Sequence, residues 1–262
     1  MTRRSLLLHI GVPIVSLILA LIGWQIAAAG TETFILPSPG EVFATLIEDW
    51  ADVIGPAFWV TLRLTLLALL LAVVGGVALA VLMIQSRWIE LALYPYAVVL
   101  QVTPIIAIAP LLLIWVPETN TALLILAFLV AFFPILTNTA QGLKSADHNL
   151  LNLFDLYGAN RWQTLRLLRT PSALPYFLAG LRIAGGLALI AAVVAEFAAG
   201  TGGARSGLAY RILEAQFWLD TPRSFAVLFV LAVTGVFIFT ATSLISFYAT
   251  RRWHESASLR EN

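Results

Sequence analysis

The chain has no cysteine, a single lysine (Lys144) and three histidines (His9, His148, His254) in 262 residues. The lack of cysteine excludes disulfides, thiolate metal sites and cysteine nucleophiles. The histidines are far apart and none stands in an i, i+4 pair, so no metal constellation is expected. A phosphate loop of the form G-x-x-x-x-G-K-[ST] needs lysine directly after glycine, whereas Lys144 follows Leu143. Gly200-Thr-Gly-Gly203 lacks that lysine and reads as a turn outside the membrane. Charge is scarce too: 11% of residues are Asp, Glu, Lys or Arg, against roughly a quarter in a soluble domain. The net charge of +1 gives nucleic-acid binding no support.

What the chain does have is apolar length. It is 60% hydrophobic with a mean hydropathy of +0.93, too little polar surface to cover a water-facing body. About 20 helical residues cross the hydrocarbon core. Six runs meet that standard, near Leu6–Ala29, Ala57–Ile84, Leu91–Val116, Thr121–Ala140, Phe177–Ala199 and Ser224–Ala249. The expectation is an all-α polytopic membrane helix bundle of about six transmembrane helices. The first run is longer than a signal-peptide core of about 7–15 residues and reads as a retained helix.

Lys and Arg favour the cytoplasmic side. With the N-terminus inside, the cytoplasmic segments carry Arg3, Arg4, Arg87, Lys144, Arg161, Arg166, Arg169, Arg251, Arg252 and Arg260. The opposite side carries only Arg205, Arg211 and Arg223. Both termini are therefore expected in the cytoplasm, together with the polar island from Gln141 to Tyr176.

Within the spans, small residues cluster at Gly75-Gly76 and at Gly180, Ala184, Gly185 and Gly186, which permits close helix approach. Pro95, Pro104 and Pro110 fall in the third run and Pro134 in the fourth; prolines remove helix hydrogen bonds, so the third span is expected to be broken or bent. Gln101 and Thr103, just before Pro104, are candidates to line a translocation pathway, the alternative being a bent packing helix. Glu196, Arg182 and Arg63 are intramembrane charges, costly unless they serve a pathway or snorkel to a helix end. Asn138 and Thr139 are read as capping the fourth span. Outside the spans, Leu36-Pro-Ser-Pro-Gly40 is a rigid turn, followed by a short interfacial helix over Glu41 to Trp50.

In the island, Leu150, Leu151, Leu153, Phe154 and Tyr157 recur at roughly helical spacing among Asn149, Asn152 and Asp155, giving a short amphipathic helix that Gly158 ends. Asn160 is an acceptable N-cap for a second helix through Arg169, stopped by Pro171. Asn152-Leu-Phe-Asp-Leu-Tyr-Gly158, nine residues, then Leu168-Arg-Thr-Pro171 resembles the EAA loop of permease subunits of ABC importers. That pattern is Glu-Ala-Ala, three residues, Gly, nine residues, Ile-x-Leu-Pro. Gly158 and Pro171 match at the required spacing, whereas Asn152, Leu153, Phe154 and Thr170 depart from it. Leu36-Pro-Ser-Pro39, Thr61-Leu-Arg63, Ala109-Pro-Leu111, Gly158-Ala159, Ala173-Leu-Pro175, Gly180-Leu-Arg182 and Val194-Ala-Glu196 resemble the nitrate, sulfonate and taurine branch of these permeases.

This resemblance implies a type I importer permease, residues 1–262 as one membrane domain, with 141–176 as a cytoplasmic coupling loop. The loop residues so implied are Asn152, Leu153, Phe154, Asp155, Tyr157, Gly158, Ala159 and Pro171. It implies docking on a cytoplasmic ABC ATPase, two permeases (a homodimer being the simpler expectation) and two ATPases per transporter, and delivery by an extracytoplasmic substrate-binding protein. ATP and magnesium would sit on the ATPase, with no cofactor and no catalytic residue on this chain. Members of the branch carry nitrate, sulfonates, taurine, pyrimidine precursors or riboflavin; Gln101-Val-Thr-Pro-Ile-Ile-Ala107 and Asn149-Leu-Leu-Asn-Leu-Phe154 look nearer to the riboflavin and pyrimidine members. The alternative class is a secondary transporter or channel, which calls for mid-membrane carboxylates and inverted repeats.

Overall fold

The structure, a computed structural model, describes residues 3–33, 35–200 and 206–251. The expected turn at 201–203, Arg205, Arg252, His254 and Arg260 lie outside the described residues. Among the described residues are eleven α-helices: α1 (Arg3–Ala29), α2 (Pro39–Glu48), α3 (Gly55–Gln85), α4 (Arg87–Val102), α5 (Ile105–Trp115), α6 (Thr119–Lys144), α7 (His148–Leu156), α8 (Arg161–Thr164), α9 (Thr170–Ala199), α10 (Leu208–Phe217) and α11 (Thr221–Thr250). Wider π-helical turns at Trp50–Ile54 and Leu165–Arg169 lead into α3 and α9.

Among the described residues, five continuous helical stretches are long and apolar enough to cross a membrane: Gly11–Ala29, Trp50–Gln85, Thr119–Lys144, Arg161–Ala199 and Thr221–Thr250. The sixth expected span, Leu91–Val116, is made in two pieces. The break falls at Thr103-Pro104, where Thr103 (ψ 126°) and Pro104 (ψ 107°) are extended. The proline ring excludes the α conformation at the preceding residue and has no N–H to donate. α4 and α5 have 16 and 11 residues, about 24 and 17 Å at 1.5 Å per residue, so neither piece crosses alone. Pro95, Pro110 and Pro134 stay inside their helices.

Two compact units divide the chain. The first comprises Met1–Trp59 and Gly202–Ala232. Its core is Val42, Ile54, Ala57, Leu208, Ile212, Ala226, Val227 and Val230. Trp24 of α1 donates its indole N–H to the Pro37 carbonyl (3.0 Å). α2 starts two residues earlier than expected, because Ser38 caps it reciprocally with Glu41 and Pro39 opens the first turn. Arg223 pairs with Asp49 at 2.6 Å.

The second unit comprises Val60–Thr201 and Val233–Asn262. Here the small residues allow backbone-close crossings. A Cβ on Gly76 would lie 2.8 Å from Ile135 Cγ2, one on Gly180 2.7 Å from the Pro134 carbonyl oxygen, and one on Gly142 2.7 Å from Tyr176 Cβ. α6 and α9 are thereby locked along their length, with Leu126, Ala127, Ala131, Ile135, Ala184, Ala188 and Ala192 buried around them.

Candidate functional site

The loop between α6 and α9 is built from strong local signals. Asp147 caps α7 by accepting the Asn149 amide (2.7 Å). The helix unwinds at Tyr157, and Gly158 has φ +68°, a left-handed conformation that glycine takes without a Cβ penalty. The Gly158 and Ala159 amides return to the carbonyls of Asp155 (3.0 Å) and Phe154 (2.9 Å). Asn160 and Gln163 then form a reciprocal capping box, at 2.9 and 2.8 Å.

Pro171 does not stop the second helix. The path from Arg161 to Ala199 is one helical stretch, with Pro171 in the first turn of α9. The turn at Leu165–Arg169 widens just ahead of the proline ring, the Thr170 amide reaching back five residues to the Leu165 carbonyl, and the helix continues past Pro171 with the Ser172 hydroxyl donating to the Leu168 carbonyl (2.9 Å).

No residue of α7 is buried. Leu150, Leu153, Leu156 and Tyr157 form an exposed ridge at i, i+3, i+6, i+7 spacing, Leu156 and Tyr157 being 83% and 81% exposed. Leu151 and Phe154 turn inward and are half-buried. A short helix with an uncovered apolar ridge is the form taken by helix-in-groove docking elements. Asn152 and Asp155 share a cleft of about 300 Å³ with His148, Arg161 and Arg169, with Ala159 also at its wall. The sequence therefore places carboxamide and carboxylate on a polar flank beside the ridge.

The ridge has a stiff mount. Below it, Gly142 meets Ala173 and Tyr176 too closely for any side chain. Leu165 and Ala173 are buried with Met83, Phe133, Leu136 and Leu143. Arg161 Nη1 donates to the Gln85 carbonyl at the end of α3 (3.3 Å), and Lys144 pairs with Glu90 of α4. The Glu90–Lys144 pair was not expected, although Lys144 is the chain's only lysine and Glu90 the only acidic residue of α4.

The pathway candidates fall in different surroundings. Gln101, on the last turn of α4, lines a cavity of about 310 Å³ with Tyr94, Thr137, Gln141 and Lys144. Thr103 is not in that wall; its hydroxyl donates to the Val99 carbonyl (2.6 Å) at the end of its own helix. Glu196 is 4% exposed and accepts the Thr61 hydroxyl (2.8 Å), tying α9 to α3. Arg182 and Arg63 are exposed and form no ion pair among the described residues. Asn138 donates to the Pro134 carbonyl (2.8 Å) of its own helix. Thr137 and Gln141 were missed as cavity residues. Their signal is spacing, since 137, 141 and 144 share one face of α6, which carries Gln141 out of the polar island and onto the helix.

Residues 72–254 match the family described as binding-protein-dependent transport system inner membrane component. The chain belongs to this family of ABC importer permeases. The formylaminopyrimidine transport permease protein ThiX of Halalkalibacterium halodurans is 34% identical over 230 residues, covering 87% of this chain and 90% of that protein. The riboflavin transport system permease protein RibX of Chloroflexus aurantiacus is 35% identical over 257 residues, covering 94% of this chain and 91% of that protein. A solved structure titled "Crystal structure of an amino acid ABC transporter with histidines" shares the permease fold, with TM-score 0.60 at 20% identity over 75% of this chain and 92% of that one. As an importer permease the chain is a multi-pass inner-membrane component for a small nutrient. Such permeases work with a separate ATPase and a substrate-binding protein.

Proposed function

We propose that this permease couples to a cytoplasmic ABC ATPase through α7, and that it carries riboflavin or a pyrimidine vitamin precursor inward. The observation that carries the reading is the uncovered ridge of Leu150, Leu153, Leu156 and Tyr157 on the α6–α9 stem, whose backbones meet at Gly142. A docking helix transmits a stroke only if it moves with the spans, and this clamp makes α7 part of the same rigid body. The coupling residues are Asn152, Leu153, Phe154, Asp155, Tyr157, Gly158, Ala159 and Pro171, within a loop spanning 141–176 of a single permease domain.

In this reading both termini and α7 face the cytoplasm, as the Lys/Arg distribution favours. Two copies of the permease pair as a homodimer with two ATPases, and a substrate-binding protein loads the outer face. ATP and magnesium are held by the ATPase; this chain contributes no catalytic residue. Gln101, Thr103, Arg182 and Glu196 are the pathway candidates, and Glu196 acts from the outer end of α9 through its link to Thr61. The cargo rests on the similarity to ThiX and RibX, with sulfonate, taurine and nitrate as the alternatives.

The test is uptake in proteoliposomes containing the chain, its co-purifying ATPase and its binding protein. The panel is labelled riboflavin, a formylaminopyrimidine, taurine and nitrate, with and without internal ATP. ATP-dependent uptake of riboflavin or the pyrimidine supports the reading. Uptake by this chain alone, without ATP, replaces it with a secondary carrier.

A further inference from the structure

α4 and α6 face each other across the cavity of about 310 Å³ with a mixed wall: Tyr94, Val98 and Gln101 from α4, and Thr137, Gln141 and Lys144 from α6. Each set repeats at three- and four-residue intervals and so forms one helical face. Gln101 and Gln141 are exposed, and neither carboxamide bonds another described residue. A bare carboxamide directed at hydrocarbon is costly. Two of them converging on one cavity beside the Pro104 break belong to a water-filled or solute-filled passage.

The wall also defines what it accepts. Its one charge, Lys144, is neutralised by Glu90. The Thr137 hydroxyl already donates to the Phe133 carbonyl (2.8 Å), leaving only its lone pairs. Each carboxamide offers two donors and an acceptor, and Tyr94 offers a ring face and a phenol. An anion such as a sulfonate finds no unpaired cation there. A flat uncharged ring with donors and acceptors alternating along its edge finds complementary groups on both helices. The volume is at the small end of the usual ligand-site range of ~300–1,000 Å³, which suits one or two rings.

We infer that this cavity is a cargo subsite in the cytoplasmic half of the permease, selective for uncharged aminopyrimidine-type heterocycles, with Gln101 and Gln141 reading the ring edge and Tyr94 its face. The inference rests on the importer reading and names the groups that discriminate cargo within it.

The experiment uses the full complex of permease, ATPase and binding protein in proteoliposomes, with 4-amino-5-hydroxymethyl-2-methylpyrimidine, riboflavin and taurine as probes. Gln141→Leu and Gln101→Leu each raise the KM for pyrimidine uptake by about tenfold, the loss of roughly one neutral hydrogen-bonded edge, and uptake recovers at saturating concentration. Gln141→Asn, which keeps the carboxamide, serves if the leucine form fails to assemble with the ATPase; its KM moves by a smaller factor. A second readout needs no uptake. Lys144 is the only lysine of the chain, so amine acylation of its peptide, followed by mass spectrometry on the complex without binding protein, reports on the cavity. The pyrimidine slows that acylation at least fivefold in the native protein and not in Gln141→Leu, and taurine does not slow it. Unchanged KM in both leucine variants, with no protection of Lys144, overturns the subsite while ATP-dependent uptake leaves the importer reading standing. Protection by taurine, or by riboflavin but not the pyrimidine, overturns the proposed selectivity. ATP-independent uptake by the native chain alone removes the importer reading itself, a result seen before any variant is made.

Discussion

Replacing Gly142 by alanine inserts one methyl group where α6 and α9 touch. The new Cβ would stand 2.7 Å from Tyr176 Cβ, 2.8 Å from Ala173 Cα and 3.0 Å from the Ala173 carbonyl oxygen. These atoms are backbone or directly attached to it, so no rotamer change relieves the overlap. Restoring a carbon–carbon contact of about 3.5–4.0 Å requires the helices to part by about 1 Å. Overpacking of this kind costs about 1–3 kcal/mol, partly offset by the gain of up to about 1 kcal/mol from Gly to Ala in a helix. The net effect is a thermal midpoint lower by roughly 2–6 °C for a chain of this size. Because the α7 ridge is untouched, the ATPase still co-purifies, whereas stimulation of ATP hydrolysis by loaded binding protein falls several-fold in nanodiscs. Gly75→Ala is the matched control: its Cβ would lie 3.5 Å from Phe132 Cε2, an ordinary contact. If the two variants are indistinguishable in midpoint and in coupling, the clamp does not transmit the stroke.

Three further outcomes follow from the geometry. Leu156→Asp removes an exposed apolar knob whose burial against a partner is worth about 1.5–3 kcal/mol, so ATPase association weakens by roughly 10–100-fold with membrane insertion unchanged; undiminished co-purification counts against docking through α7. Thr61→Val deletes the hydroxyl donor to the buried Glu196 side chain, a loss of about 1–3 kcal/mol when a buried acceptor is left short of a partner, and lowers the thermal midpoint, whereas an equal or higher midpoint means the pair is not stabilising. The Glu41 carboxyl is held below its usual 4.5, first by the Ser38 amide and then by the Ser38 hydroxyl. The cap is therefore intact above the usual value and is lost as pH falls through the lower folded one. Exchange of the Ser38 amide, which donates to the Glu41 carboxylate, corrected for intrinsic rate, should accelerate only in that acid window, and acceleration already near pH 6 would contradict the assignment.

Local chemistry was readable in the chain, and long-range pairing was not. The spacing of Leu150, Leu151, Leu153, Phe154 and Tyr157 and the effects of Gly158 and Pro104 all act within a few residues, so α7, its end and the break in the third crossing follow from short strings, whereas the Asp147 cap went unread. Pro171 does not end the helix because its consequence depends on what precedes it: the turn at Leu165–Arg169 is widened where the proline ring enters, and the helix runs on. Glu196 finds Thr61 at a separation of 135 residues, and Lys144 finds Glu90 at 54, distances over which hydrophobic periodicity carries no register. Gln141 was misplaced for a related reason: polarity marked it as loop, while three- and four-residue spacing with Thr137 and Lys144 places it on a helix face.

The unbroken path from Arg161 to Ala199 has 39 residues, about 58 Å of rod at 1.5 Å per residue. Gly180, pressed against the Pro134 carbonyl oxygen, stands nineteen residues from each end, so the arms are equal at about 28 Å. Held against α6 at both Gly142 and Gly180, the rod has no free fulcrum and moves with α6 as a unit. An ångström of travel along its axis at Arg161 would arrive as an ångström in the same direction near Glu196, where the Thr61 hydroxyl passes it to α3.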